Sequence, residues 1–187
     1  MRILQNPVNR PSVHRPVIKE SWKIRMNPEE FKEWRNKENM MGLFFNGASK
    51  GNPEATGAGG LLISTWGKVV FRYSWGLGIK SNNESEALAL LKGCQLSAEK
   101  GFHSLQVFGD SSLIIKSLIS SNNMKNSRLD SLMHKINLAI GSLKRIKVYH
   151  ILWDLNKQSN DEANIGVAQS QGDLWVNKRM IPNHLTP

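Results

Sequence analysis

The sequence predicts one α/β domain that follows a basic N-terminal extension. Three β-prone segments separated by turn residues come first, and a helical period replaces them near residue 83. Strands then alternate with helices to about residue 169. A length of 187 residues suits one such domain with its own core and one extension, and is short for two domains.

The first half of the domain is expected to be an antiparallel meander. Apolar and β-branched residues predict three strands, at 40–45, 59–65 and 69–75. Turn residues separate them at Gly57 and at Trp66-Gly67-Lys68. Because the connections are short, neighbouring strands should run in opposite directions.

The second half combines helices with two further strands. Residues at three- and four-residue steps fall on one helical face from Ala87 to Ala98, and Lys100-Gly101 ends that helix. Cys94 lies on this face and is expected to be a core thiol. The remaining pattern predicts a strand at 104–108, a short helix through 113–118, a loop at 120–127, a long helix at 129–143, a strand at 147–152 and a helix at 161–169. No periodicity predicts structure in 170–187.

A further helix is predicted before the first strand. Asn27-Pro28-Glu29-Glu30 supplies a cap, a proline for the first helical position and two acids for the positive end of the dipole. In the expected helix at 28–37, Phe31 and Trp34 share one face. That face packs either on the domain's own sheet or on a partner protein.

Charge is the strongest compositional signal. The chain has 25 Lys and Arg against 15 Asp and Glu, a net charge of +10 and a pI near 9.9. A basic excess favours nucleic acid as the partner, and a merely soluble basic surface is the alternative. Residues 1–19 contain three prolines, no acid and four cations, and should form an extended arm held by RNA or a partner; the cations are Arg2, Arg10, Arg15 and Lys19.

Composition also limits the compartment. No apolar run approaches the roughly 20 residues of a membrane span, so no membrane insertion is expected. The single cysteine fits a reducing, intracellular environment. The N-terminal segment is poor in serine and lacks an amphipathic helical pattern, so no cleaved targeting peptide is expected, and an organelle ribonucleoprotein stays open.

Four separated motifs stand where strands and helices should begin or end. An apolar strand stops at Asn46-Gly47, Asn82-Asn83-Glu84-Ser85-Glu86 opens a helix, Gly109-Asp110 closes a strand, and His150 precedes Asn160 by ten residues. In this order and spacing the chain resembles ribonuclease H, in the short form found in plant retroelement polyproteins. The resemblance covers about residues 41–169.

The resemblance implies a ribonuclease H-like fold. This is a mixed five-stranded sheet, three antiparallel strands followed by two parallel ones, with helices on its faces. The expected organisation is a basic extended arm and short helix at 1–39, a ribonuclease H-like domain at 40–169 and a C-terminal tail at 170–187.

The resemblance also implies a catalytic site. The family cleaves RNA in a hybrid with two Mg²⁺ ions, which require anionic oxygen ligands, and it supplies four carboxylates and a histidine. By position, the carboxylate places here are Asn46, Glu86, Asp110 and Asn160, and the histidine is His150. Amides occupy two of the four places, so Glu86 and Asp110 are the expected metal ligands, weak if they bind at all. Because the family's first aspartate bridges both ions, Asn46 predicts the loss of cleavage.

Asp161 is the alternative fourth ligand. The segment from His150 to Val167 aligns with the family's late motif without a gap and places Asn160 in the aspartate position. Asp161 follows one residue later, so its side chain should be rotated by about 100° from the site. Glu162 stands where the family buries a leucine, so the helix face has itself changed.

Further positions are expected to contact nucleic acid. The family reads backbone and 2′-hydroxyl groups by shape, from a turn after the first strand and from the start of the following helix. The expected contacts here, besides the arm cations, are Lys50, Asn52, Ser81, Asn82, Asn83, Ser112 and Lys116. A turn and a helix cap explain Asn52 and Asn83 equally well. The basic protrusion of some family members is absent.

The sequence therefore predicts a ribonuclease H-like module that binds RNA or hybrid, has lost its chemistry and needs no cofactor. Its setting would be a ribonucleoprotein with protein subunits as partners, and no membrane or small-molecule substrate is expected. One alternative is an active, Mg²⁺-dependent hybrid ribonuclease. Another is a protein-interaction module without RNA binding.

Overall fold

The computed structural model describes residues 23–51, 55–120 and 124–181. The helices are α1 (Pro28–Lys37), α2 (Asn82–Glu99), α3 (Ser112–Ser120), α4 (Ser127–Gly141) and α5 (Lys157–Val167). The strands are β1 (Met41–Ser49), β2 (Ala55–Ile63), β3 (Val69–Ile79), β4 (Ser104–Gly109), β5 (Arg145–His150), β6 (Leu174–Val176) and β7 (Arg179–Ile181). No helix in these described ranges is long and apolar enough to cross a membrane.

The strands form one mixed sheet in the order β5-β4-β1-β2-β3-β6-β7. The predicted meander is present, because β1, β2 and β3 pair antiparallel in sequence order. β4 and β5 pair parallel to β1 on its other side, as the resemblance implies. The sheet of the described chain has seven strands instead of the predicted five.

The two additional strands come from the segment 174–181. β6 pairs with β3, with Trp75 opposite Leu174, and β7 pairs with β6. Their hairpin turns at Asn177 and Lys178, whose φ angles are 51° and 63°, the left-handed pair of a type I′ turn. Strands of three residues are too short to show a period, and the turn lacks the usual glycine, which is why the sequence pattern did not predict them.

The predicted turn at Gly57 is wrong, because this residue lies inside β2 opposite Gly76. Gly57 and Gly59 face α5 instead. A Cβ on Gly57 would lie 2.3 Å from the backbone nitrogen of Val167, and one on Gly59 would lie 2.3 Å from that of Ala163. These glycines therefore let helix and sheet approach closely, and no turn is needed to explain them.

Two apolar layers enclose the sheet. One face carries α2 and α4 over a large core that includes Phe45, Trp75 and the buried thiol of Cys94, as predicted. The other face carries α1, whose Phe31 meets Phe108 edge-on at 5.2 Å between ring centroids. Trp34 packs edge-on against Tyr149 at 5.0 Å. The Phe31 and Trp34 face thus docks on the domain's own sheet.

α5 begins at Lys157, four residues before the predicted start at 161. A 3-10 turn at Trp153–Leu155 leads into it, and Asn156 occupies the cap position without a side-chain capping bond. Asn160 followed by two acids also has the pattern of a helix start, and this pattern placed the predicted start too late. Asn160 consequently lies in the first helical turn, with its backbone N–H donating to the Asn156 carbonyl at 3.1 Å.

Candidate active site

The candidate site lies at one edge of the sheet. β1, β4 and β5 run parallel, so their carboxyl ends meet there. Asp110 directly follows β4, and His150 ends β5. Asn46 lies inside β1, two residues past the last pair with β4 and opposite Gly59 of β2. The predicted end of this strand at Asn46 is therefore wrong, because β1 continues to Ser49 by pairing with β2. α2 contributes Glu86 from the opposite face, where a Cβ on Gly47 would lie only 2.5 Å from the Glu86 backbone nitrogen.

Asn46 and Asn160 contact each other directly. The Asn46 side-chain nitrogen donates to the Asn160 side-chain oxygen at 3.1 Å. Asn46 is 4% exposed, and Asn160 is half-buried in the first turn of α5. Asp161, the alternative ligand, is exposed. The helix therefore turns Asn160 toward β1, and Asp161 lies on its solvent side.

Asn156 is a buried part of this site that sequence reasoning assigned no role. Its side-chain nitrogen donates to the Phe45 carbonyl at 3.0 Å. Ser159 donates its hydroxyl to the Asn156 carbonyl at 2.9 Å and also contacts the Asn156 side-chain oxygen. Asn156 thus ties the entrance of α5 to β1. Its position in the late motif, between His150 and Val167, is the sequence feature that could have indicated this role.

The environment of Glu86 and Asp110 disfavours the ionised form of both side chains. Burial raises the pKa of Glu86 well above its usual value, the charge of Asp110 raises it further, and the Gly47 backbone N–H opposes the shift. The Oε2 atom of Glu86 is buried, and no residue in the described ranges hydrogen bonds to it. Burial also raises the pKa of Asp110, while its own backbone N–H, the Asn156 side chain and His150 lower it.

His150 is largely buried beside Asp110. Its Nε2 atom lies 3.1 Å from the Asp110 carbonyl oxygen. The chain just after the predicted arm also reaches this point, because Lys23 forms a parallel bridge with His150 and the Ile24 backbone N–H donates to the His150 carbonyl at 2.9 Å. Lys23 and Ile24 are therefore anchored at the end of β5.

These residues do not fit a pair of divalent cations. Two cations require several anionic oxygens, and among the residues that the structure describes, Glu86 and Asp110 are the anions of the site. The Asn160 oxygen already accepts the Asn46 amide. Nowhere in the described ranges do three or more His, Cys, Asp or Glu side chains form a group able to hold a metal ion. The structure thus brings the predicted positions together without assembling a metal centre.

Of the expected nucleic-acid contacts that the structure describes, some bond within the domain and others are exposed. Ser81 caps α2 by accepting from the Glu84 backbone N–H at 3.1 Å, and the Asn82 side-chain oxygen accepts from the Ser49 hydroxyl at 2.7 Å. The remaining described positions are exposed, namely Lys50, Asn83, Ser112 and Lys116. The other predicted contacts lie outside the described residues: Arg2, Arg10, Arg15, Lys19 and Asn52.

A basic cleft of about 370 Å³ lies beside them, between the starts of α2 and α4. Lys80, Arg128 and Lys135 line it together with Glu84. Arg128 stands in the first turn of α4, together with the acidic Asp130, and three bases against one acid make the lining of the cleft basic. The sequence analysis did not predict this cleft. The bases at the starts of two helices are the feature that could have indicated it.

Comparisons with known proteins agree with this architecture. The Reverse transcriptase-like family model matches residues 44–166. Ribonuclease HI from Halobacterium salinarum is 36% identical over 75 residues, which cover 40% of this chain and 38% of that relative. The chain thus matches well under two thirds of the relative's length.

Solved structures show the same fold. RNase H1 from the halophilic archaeon Halobacterium salinarum has a TM-score of 0.67 at 24% identity, covering 70% of this chain and 99% of that chain. LC11-RNase H1 in complex with an RNA/DNA hybrid has a TM-score of 0.64 at 20% identity, covering 68% and 96%. The predicted ribonuclease H-like α/β fold is confirmed.

Proposed function

The chain belongs to the Reverse transcriptase-like family, and from that premise we propose that it is a ribonuclease H-like module that binds RNA or RNA/DNA hybrid without cleaving it. It is the short plant retroelement form, and it has exchanged two catalytic carboxylates for amides. Glu86, Asp110 and His150 are the remnants of the inherited site.

One observation carries the loss of cleavage: Asn46 donates its amide to Asn160. In a working two-metal site these positions would hold anions that bind cations. The two neutral amides hydrogen bond to each other instead. Two of the four negative charges that would bind the cations are therefore missing. Losing two charges from a four-charge set weakens divalent binding severely.

Charge and shape support the binding half of the proposal. The net charge of +10 favours a polyanion. Lys80, Arg128 and Lys135 line a basic cleft on the surface. The similar LC11-RNase H1 was solved in complex with an RNA/DNA hybrid. Contacts of this kind need no metal, so binding can persist after the chemistry is lost.

The proposed setting is a ribonucleoprotein assembly. The arm cations would neutralise phosphates, and protein subunits would complete the assembly. Mg²⁺ enters only in the alternative, an active hybrid ribonuclease. The observation that favours this alternative is the retention of Glu86, Asp110 and His150 at one sheet edge.

The test measures binding and cleavage on the same labelled RNA/DNA hybrid. We expect the full chain to bind the hybrid in a salt-dependent way and to release no product in Mg²⁺ or Mn²⁺. A Glu86→Gln variant reports contaminating nuclease, because it removes an inherited ligand. Product above that background would favour the active enzyme, and the loss of this product in Asp161→Asn would identify Asp161 as the ligand in use. Absence of RNA and hybrid binding would favour the protein-interaction class.

A further inference from the structure

A second cleft lies on the α1 face of the sheet, between α1 and the connection into α5. Its volume is about 480 Å³. Its apolar lining comes from α1, β1 and β2, namely Phe31, Phe44, Leu61 and Ile63. α1 precedes the residues that the family model matches, and the rest of the lining of this surface, the α1 cleft, lies within them.

A buried cation lines the α1 cleft. Arg35 is 4% exposed, and both terminal nitrogens of its guanidinium donate to the Ser64 carbonyl at 3.3 Å. Gly42 makes room for it, since a Cβ there would lie 3.2 Å from the Arg35 Nη1 atom. Burial lowers the pKa of the guanidinium. Arg35 forms no ion pair within the described part of the chain, and Asp154, which lines the same cleft, does not pair with it.

The guanidinium of Arg35 has no carboxylate partner among the described residues. Burying a cation is costly unless an anion and enough acceptors accompany it. One carbonyl oxygen serves two of the five N–H donors of Arg35. A carboxylate fits the planar fork of arginine and accepts two parallel hydrogen bonds. The missing group is therefore a single carboxylate delivered into the cleft.

The surroundings favour a protein segment over nucleic acid. Besides Arg35, the charged residues that line the cleft are Lys32, Lys157 and Asp154, so its lining is basic and attracts an anion. Because Arg35 is 4% exposed, its guanidinium suits one inserted carboxylate better than a nucleic-acid backbone, which lies along exposed cations. The apolar lining also suits side chains better than phosphates. At the rim, Trp66 is 92% exposed next to Gly67, which lines the cleft, and exposed tryptophans are common anchors in protein interfaces.

We propose that the α1 cleft binds a protein segment that places a carboxylate against Arg35 and apolar side chains against Leu61 and Ile63, with Trp66 at the rim. This cleft adjoins the candidate active site, because Asn156 lines it, but its proposed partner goes beyond the proposed nucleic-acid binding. It gives the module a surface for a protein partner.

The probe is a pair of capped tripeptides, Ac-Ile-Glu-Leu-NH₂ and its Gln counterpart, titrated into the full isotope-labelled chain by NMR. We expect the Glu peptide to shift the signals of the Arg35 side chain, Leu61 and Gly67. The Gln peptide should bind at least about tenfold more weakly, since hydrogen bonds to ionised groups are the stronger ones. Equal binding of both peptides, or shifts from neither, overturns the proposal.

Variants separate ligand binding from a structural role. Arg35→Met should abolish the preference for Glu while keeping or raising Tm, because it removes a buried cation. A purely structural arginine predicts the reverse, a lower Tm with the preference unchanged. Arg35→Lys keeps the charge but loses the fork, so it should retain only part of the preference. Arg145→Met is the matched control, since Arg145 is exposed on β5 and does not line the cleft, and it should not affect the peptides.

An RNA oligonucleotide tests the competing class of partner. If it shifts the Arg35 signals and displaces the Glu peptide, the cleft is a nucleic-acid site and the proposal is wrong. If it shifts only signals of residues such as Lys80 and Arg128, the two surfaces are separate, as proposed. Failure of the peptide experiment leaves hybrid binding untouched, so the two proposals are tested independently.

Discussion

Asn46 hydrogen bonds to Asn160 across 114 positions of sequence, and this contact joins β1 to the first turn of α5. An amide pair of this kind is electrically neutral and satisfies itself without a counterion. Two carboxylates at the same places would repel each other unless cations stood between them. The contact therefore holds strand and helix together where a metal-dependent site would need its ions.

Glu86→Gln should stabilise the protein at neutral pH and flatten its pH dependence. The pKa of Glu86 is raised well above 4.5 in the folded state, so the folded chain holds this proton more tightly than the unfolded chain. Stability is then greatest below the unfolded pKa and falls as pH rises toward the folded pKa. Glutamine stays neutral and removes this loss.

Tm measured between about pH 4 and pH 8 checks the prediction. We expect the variant to exceed the unsubstituted chain by a few degrees near pH 7 and to converge with it near pH 4, with about 2–4 °C for each kcal/mol. Glu29→Gln, at an exposed position on α1, is the control for charge alone. Parallel curves for the two variants would show that burial of Glu86 carries no cost.

Gly59→Ala should severely destabilise the fold. The added Cβ would lie 2.3 Å from the Ala163 nitrogen, and backbone cannot move aside as a flexible side chain can. We expect a loss of about 3 kcal/mol in urea unfolding. Gly67→Asn is the control, because Gly67 has a positive φ in open space and asparagine tolerates that conformation. Equal stability of the Gly59 variant and the control would mean that α5 does not rest on β2.

Lys178→Gly should stabilise the β6–β7 hairpin. Lys178 has a φ of 63°, which costs a residue with a Cβ about 1 kcal/mol and costs glycine almost nothing. Lys178→Ala removes the same charge and keeps the strain, so it should give no gain. Calorimetry should therefore show a Tm increase for glycine only, and identical values for both variants would contradict the strained turn.

Deleting residues 1–19 should weaken the salt dependence of RNA binding. Each arm cation that neutralises a phosphate contributes roughly 0.7–0.9 to the slope of log K against log salt. A full-length variant with Arg2, Arg10, Arg15 and Lys19 changed to glutamine separates charge from length and should give the same reduced slope. An unchanged slope in both would move the RNA contacts to the cleft of Lys80, Arg128 and Lys135.

Regular burial made much of the fold predictable. α3, α4 and β5 each bury one face and leave a period in the sequence, whereas β1 and β2 are buried on both faces and appear as continuous runs of apolar and small residues. Gly57 was misinterpreted because glycine marks a turn and a close helix approach equally well, and only the position of α5 decides between them. Arg35 was not singled out because an arginine in a charged helix is usually solvated, and its burial depends on the space above Gly42.

The site was predictable in position but not in detail. Motif spacing placed Asn46 and Asn160 together although they are far apart in sequence. The role of Asn156 depends on the Phe45 carbonyl, 111 positions away, and no local pattern reports such a contact. The cleft of Lys80 and Arg128 likewise requires two helix starts to meet in space.

The double reversal Asn46→Asp with Asn160→Asp should create a metal-dependent site. Without divalent cations it should lower Tm, because four carboxylates would crowd one sheet edge where Glu86 and Asp110 already carry raised pKa values. Mg²⁺ should restore the lost stability by binding the folded state. Asn36→Asp with Asn164→Asp is the control, since it adds the same charge at exposed positions.

Hybrid cleavage is the second readout of the double reversal. Restoring both anions beside Glu86, Asp110 and His150 should recover part of the activity, because two cations about 4 Å apart could then be held. Asn46→Asp alone should recover more than Asn160→Asp alone, since the β1 position is the one expected to bridge both ions. An equal Mg²⁺ effect on the exposed control would show that the added charges bind metal anywhere. Cleavage by the unsubstituted chain that disappears in Asp161→Asn would place the fourth ligand one residue later and exclude the inactive module.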